Sequence, residues 1–184
     1  MGLKEQIEKY KPYNEQEELD KKQMLDFIEK FDDVLTRKNI FGHFTGSALV
    51  VNKDRTKMIV VYHNIFDGWI IPGGHADGEE NMLAVAVREV EEETGLKTKV
   101  LDENIFSIQS VAIDGHIKRG KYVSPHLHLD VLFLLEADER EQLRYKEDES
   151  KGVKWIELNE ATDETMCEFI RPIYKKLISK LKNK

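Results

Sequence analysis

Two periodicities divide this chain. Near its start, Met24, Phe27, Ile28, Phe31, Val34 and Leu35 recur at the 3.6-residue spacing of an amphipathic helix. Asn14 followed by Glu17 offers an N-cap and a returning carboxylate ahead of that stripe. The pattern predicts a helix from just after Asn14 to near Arg37, its apolar face covering one side of a sheet or a dimer partner. Residues 44–51 and 57–63 are then rich in Val, Ile and aromatic side chains, with Asn52, Lys53 and Asp54 between them, which predicts a β-hairpin. Trp69, Ile70 and Ile71 form a short strand that Pro72, Gly73 and Gly74 should stop. A helical pattern runs over residues 80–94 and ends at Gly95. Strand signals return at 105–117, at 122–136 and at 153–157. The tail from Glu160 to Lys182 carries a helical stripe through Met166, Ile170, Ile173, Tyr174, Leu177 and Leu181, which Pro172 should kink or divide into two abutting helices.

Mixed strands with helices at the start, middle and end favour an α/β/α sandwich over a regular βαβ repeat. At 184 residues the chain is expected to form one domain with one hydrophobic core. With 40% hydrophobic and 34% charged residues, disorder is not expected. The formal net charge of −7 argues against a partner that is a nucleic-acid polymer, because gripping a phosphate backbone needs a broad basic face. Small anions remain accessible, since a bound cation can supply positive charge locally. Cys167 is the sole cysteine, so no intrachain disulfide can form, and no apolar run reaches the length of a membrane span. A cytoplasmic protein without a membrane partner is the expectation.

The chemistry concentrates between Gly74 and Leu96. On a helix, Glu89, Glu92 and Glu93 stand at i, i+3 and i+4, so three carboxylates converge on a face beside the apolar arc of Leu83, Ala86, Val87, Val90 and Thr94. Like charges in the last turns of a helix repel one another and oppose its macrodipole. A divalent cation relieves both, and carboxylates with a nearby backbone carbonyl are hard ligands suited to Mg²⁺ or Mn²⁺. The glycine-rich turn before the helix lets backbone approach such a cation closely.

The whole segment resembles the Nudix box, G-x5-E-x7-R-E-U-x-E-E-x-G-U with U a bulky aliphatic, at every specified position from Gly74 through Glu80 and Arg88 to Leu96. Trp69 to Gly73 looks like the strand that leads into the box in that family, and Trp155 like its tryptophan after the last catalytic loop. The resemblance therefore spans residues 44–158. It implies a Nudix-type α/β (α+β) fold, an α/β/α sandwich with a mixed β-sheet, here with extra N-terminal and C-terminal helices. Residues 1–40 are expected to be a helical extension packed on a domain of residues 41–184.

By position, the resemblance implies that the Gly74 carbonyl and Glu89, Glu92 and Glu93 hold the metal, and that Arg88 orients the acids through its rigid fork. Glu80 would help hold loop and helix together. Glu149, six residues before Trp155, matches a further acid on a mobile loop, with Glu147 and Asp148 as rivals. Either Glu89 or Glu149 would take the proton from the attacking water. His126 and His128 alternate with Leu127 and Leu129, so both imidazoles face one side of a strand, as substrate contacts or as a satisfied polar face. His75 could likewise contact a phosphate or be only a loop residue, while Lys118, Arg119 and Lys121 read as a solvated basic turn. The function implied is metal-dependent hydrolysis of a diphosphate linkage in a nucleoside diphosphate derivative or nucleotide. Isopentenyl-diphosphate isomerases share the fold but use a cysteine for proton transfer, and Cys167 lies far outside the box. Nucleotide-sensing relatives that do not cleave tend to have lost box acids, whereas here the box is intact.

Overall fold

The computed structural model describes residues 1–118, 120–145, 150–162 and 168–184. Its centre is a mixed sheet. Strands β1 (Gly42–Val51), β2 (Lys57–His63), β3 (Gly68–Ile70), β5 (Lys99–Ile113) and β8 (His126–Glu136) lie in the order β3-β2-β1-β8-β5. Strand β4 (Gly73–His75) adds to β1, and β9 (Ser150–Glu157) adds to β2. Strands β1 and β8 run parallel from Gly42↔Leu127 to Val51↔Glu136, while β5 and β8 are antiparallel. Between β5 and β8 the strands β6 (His116–Lys118) and β7 (Lys121–Val123) form a separate small hairpin.

Helices cover both faces. Phe44, Ala48 and Val50 of β1 and Leu129, Val131 and Phe133 of β8 meet helices α1 (Leu3–Lys9), α2 (Glu15–Lys30) and α3 (Met82–Thr94) in one core. The alternate residues Leu49, Val51, Leu132 and Leu134 meet Tyr174, Leu177 and Leu181 of helix α4 (Arg171–Lys182) in the other. The period-2 alternation of strand side chains makes both assignments together. This is the α/β/α sandwich that the pattern of elements predicts.

Several elements depart from expectation, each for a local reason. Helix α2 is capped as predicted, with the Asn14 side chain accepting from the Glu17 N–H, but it ends at Lys30 rather than near Arg37. Beyond Phe31 the backbone is recruited by tertiary partners, since Val34 O accepts from Phe44 N at 2.8 Å and Leu35 O from Gly78 N at 2.9 Å. Helix α1 was invisible to the periodicity because its seven residues bury only Leu3 and Ile7. Pro172 marks a junction of abutting helical segments, the short 3-10 turn Glu168–Ile170 and α4, rather than a kink in one long helix. It sits in the first turn of α4, where its missing N–H removes no helical bond. The expected β1–β2 hairpin pairs at Val51↔Met58 beside its turn, and farther along β4 occupies the edge of β1.

Strand β3 ends at Ile70, before Pro72, as expected, and Gly73 and Gly74 then open the new strand β4. Gly46↔Gly74 and Ser47↔Gly73 lie so close that a Cβ on Gly73 would stand 2.6 Å from the Ser47 Cβ. Glycine is what admits this strand.

At the far edge of the sheet, α2 covers the exposed side of β5. Asp20 accepts from Ser110 N at 3.0 Å, and Gln16 Nε2 and Lys176 Nζ both donate to Ile108 O. Such cover removes an open edge that would otherwise pair with another chain. Behind it lies a buried ionic group. Glu17 meets Lys176 at 3.1 Å and Lys180 at 3.0 Å, and accepts from the Tyr10 and Ser107 hydroxyls. Burial pushes the Glu17 carboxyl up, but the two hydroxyl donors and the Lys176 charge outweigh it and hold the pKa at about 2.

Candidate active site

The acids are placed by α3. Asn81 caps its start by accepting from Ala84 N, and Gly95 ends it in the left-handed conformation at φ 73°, donating to Glu91 O. The buried face is Met82, Val85, Ala86, Val90, Glu93 and Thr94, so the apolar arc is turned slightly from the predicted one and brings Glu93 inside. Only 4% exposed, Glu93 accepts from Gly73 N at 3.0 Å. Glu89 is half-buried and Glu92 is open to solvent.

Arg88 ties this face to β4. Its guanidinium donates to Glu89 Oε1 at 2.8 Å and to the carbonyl of His75 at 3.1 Å, and its Nε lies 3.8 Å from Glu92 Oε1. The Glu89 hydrogen bond, opposed in part by desolvation, raises the Arg88 pKa. Gly74 faces Glu89 so closely that a Cβ would overlap its carboxylate. Three carboxylates, one arginine and the backbone of Gly73, Gly74 and His75 thus form one group. The donor set is all oxygen, with a glycine where a side chain would fill the space, and it fits a hard divalent cation. Glu80 lies on the exposed turn before α3.

The histidines assemble on the other side of β4. Gly74 presents its side-chain position to Glu89, and the next residue, His75, places its ring 5.0 Å from His43 and 4.9 Å from His128. His43 and His128 are register partners on β1 and β8, with rings 5.1 Å apart. His126 Nε2 lies 3.2 Å from His128 Nε2. Burial lowers all three inner imidazoles, His75 to about 3 and His128 to about 2, with neighbouring positive groups adding to the effect. They are neutral at physiological pH. His126 and His128 share a side as predicted, while His75 is a strand residue rather than a loop residue.

His43 escaped the sequence reading. Its signal was the alternation His43, Thr45, Ser47 on one strand against His126, His128, Asp130 on another, which only the parallel register makes meaningful. Asp130 is likewise an addition. It is buried beneath the histidines and accepts from Thr45 at 2.9 Å, Ser47 at 2.6 Å and Gln109, and burial pushes its carboxyl up despite these donors. Beside the cluster, Val111 and Ile113 stand opposite His128 and His126 in the ladder and line a cleft of about 560 Å³ with Ile65, Phe66 and His116. Glu149, its rivals Glu147 and Asp148, Arg119 and Cys167 lie outside the described residues.

A fold and an acidic helix of this kind define a class. The NUDIX domain family model matches residues 42–177, and the chain belongs to the Nudix family. It is 30% identical over 139 residues to the RNA pyrophosphohydrolase of Pelagibacter ubique, covering 73% of this chain and 87% of that protein. It is 32% identical over 101 residues to a probable DHNTP pyrophosphohydrolase of Lactococcus lactis, covering 53% of this chain and about half, 55%, of that protein. Among solved structures, a Nudix-family hydrolase from Clostridium perfringens superposes with a TM-score of 0.56 at 20% identity, over 76% of this chain and 97% of that one. A C. elegans Ap4A hydrolase in a binary complex also gives 0.56, at 17% identity over 77% and 98%. The protein is a Nudix hydrolase, and enzymes of this family generally need a divalent metal ion.

Proposed function

We propose that this enzyme hydrolyses a diphosphate linkage in a nucleoside diphosphate derivative or nucleotide, with Mg²⁺ or Mn²⁺ as its cation. The observation that carries the reading is the seating of Glu89 against Gly74, held by Arg88, with Glu92 in reach of the same guanidinium and Glu93 anchored on Gly73 N. Glu89, Glu92, Glu93 and the Gly74 carbonyl would hold the cation. When bound, it would offset the diphosphate charge and make the attacking water more acidic. Arg88 holds Glu89 in place before substrate arrives, so little reorganisation is needed during the reaction. Glu89 or Glu149 takes the proton from water.

The relatives are named for RNA, DHNTP and Ap4A, and the net charge of −7 favours a small substrate over a polymer for this chain. The cleft beside the histidines, lined by Ile65, Phe66, Val111 and Ile113 together with Asp114 and His116, would receive the nucleoside end, with His75, His126 and His128 as substrate contacts. Residues 1–40 act in this reading as an extension that steadies the domain of residues 41–184.

The test is a panel of nucleoside diphosphate derivatives and nucleoside triphosphates with Mg²⁺ or Mn²⁺, with products identified. Cleavage at the diphosphate should depend on the cation, and Glu92→Gln should nearly abolish turnover while the circular dichroism spectrum is unchanged. Full activity in EDTA, or an active Glu92→Gln, would overturn the reading.

A further inference from the structure

Five of the six histidines in this chain gather at one end of the sheet, and one of them keeps a buried ring nitrogen without a hydrogen-bond partner among the described residues. His43 is 4% exposed, and its Nε2 has no hydrogen-bond partner among the described residues. The other ring nitrogen, Nδ1, lies 3.4 Å from the carbonyl of Asn39, which can only accept, so the proton sits on Nδ1 and the orphan Nε2 carries a lone pair. A buried acceptor with no donor is costly, and here it points among other imidazoles.

The ligand atoms of His43, His75 and His128 all lie within 4.8 Å of one another. In a tetrahedral site with Zn–N bonds of about 2.0–2.1 Å, neighbouring nitrogens are about 3.3 Å apart. The separation of 3.2 Å between His126 Nε2 and His128 Nε2 already has that value. His126 is oriented for it, since its Nδ1 meets the carbonyl of Ser124 at 2.8 Å and so leaves Nε2 as the acceptor. Carbonyls on the far ring nitrogen are the support that metal-binding histidines ordinarily have. His43, His75 and His128 belong to β1, β4 and β8, with β1 paired in register to each of the other two, so the set would close through side-chain rotation without re-pairing of the strands.

We propose that His43, His75 and His128, with His126 as the fourth ligand, form a binding site for a borderline transition-metal ion of the Zn²⁺ class, separate from the carboxylate centre. Neutral imidazoles suit Zn²⁺, Ni²⁺ or Cu²⁺ and not Mg²⁺, whereas the Glu89 face has the reverse preference. The two sets occupy opposite sides of β4, Gly74 meeting Glu89 and His75 meeting His43. The histidine site therefore stands whether or not the carboxylates hold Mg²⁺. It would clamp β1, β4 and β8 together beside the cleft, and in the metal-bound chain the nitrogens of His75, His126 and His128 are ligands rather than the substrate contacts proposed above.

The experiment titrates the tag-free chain with Zn²⁺ in excess Mg²⁺, which keeps the carboxylates occupied. Calorimetry, the thermal midpoint and imidazole nitrogen NMR spectra are read together. One equivalent of Zn²⁺ should bind, raise the midpoint and shift the ring nitrogens of His43, His75, His126 and His128 while His63 stays unmoved. His43→Asn and His128→Asn should each weaken Zn²⁺ binding by about 100-fold. Glu92→Gln should bind Zn²⁺ as the unaltered chain does. Unchanged affinity in both histidine variants, or an equal loss in Glu92→Gln, would overturn the proposal. Should either histidine variant fail to fold, the NMR titration of the unaltered chain decides, and an absence of imidazole shifts at one equivalent refutes the site.

Discussion

Gly74 shows how much one missing side chain can carry. A Cβ there would overlap the Glu89 carboxylate, which is the mobile end of a side chain and can swing away. Gly74→Ala should therefore leave the melting temperature within a few degrees, corresponding to about 1 kcal/mol or less, while catalysis falls sharply because Glu89 is displaced. Unchanged turnover would separate Glu89 from the chemistry. Gly73 presents the opposite case, since its added Cβ would meet the Ser47 Cβ at 2.6 Å and the Gly46 carbonyl oxygen at 2.9 Å, both on the neighbouring strand. There Gly73→Ala should destabilise the fold by about 1–3 kcal/mol in denaturant titrations. Glu149→Gln belongs to the same scale. If Glu149 is the loop acid, kcat falls strongly with little change in KM, and Glu147→Gln and Asp148→Asn do much less. Three neutral variants would leave Glu89 as the base.

Helices α2 and α4 are joined through Glu17, whose carboxylate meets Lys176 and Lys180 from one helix and Ser107 from the edge strand. Removing one member of such a buried group leaves the others uncompensated, so Glu17→Gln should cost about 3 kcal/mol in denaturant titrations near neutral pH. The pH dependence has a definite sign. The folded pKa of Glu17 is lowered to about 2 from an ordinary 4.5, so the unfolded chain binds its proton first on acidification. Its stabilisation is complete above pH 4.5 and is lost as the pH falls towards 2. Stability curves for the unaltered chain and Glu17→Gln should therefore converge across that window. Parallel curves would show that the carboxylate charge is not what joins the helices.

For the molecule as a whole, the N-terminal helices cover a sheet side that residues 42–177 alone would leave open. The NUDIX match begins at residue 42, yet Leu3, Ile7 and Met24 are core residues and α2 covers the outer edge of β5. Deleting residues 1–31 would bare that edge and leave Lys176 and Lys180 without Glu17. The expected result is a lower melting temperature with concentration-dependent association, read by light scattering. A truncated chain that melts and migrates as the full one does would make the extension dispensable.

What could be read along the chain was what covalent spacing controls. Residues three and four apart on a helix share a face wherever that helix packs, so Glu89, Glu92 and Glu93 were legible as one group before any contact was known, and the resemblance of the box added Arg88. The caps at Asn14 and Gly95 were legible for the same local reason. Strand alternation likewise brought His126 and His128 to one side. Tertiary structure decided the rest. The turn of α3 that buries Glu93 depends on which sheet residues it meets, and the ending of α2 at Lys30 depends on hydrogen bonds to Phe44 and Gly78. His43 became part of a histidine cluster only because β1 pairs with β8 in parallel. Parallel register joins segments far apart in the chain and is set by packing on both faces of the sheet, which no local pattern encodes.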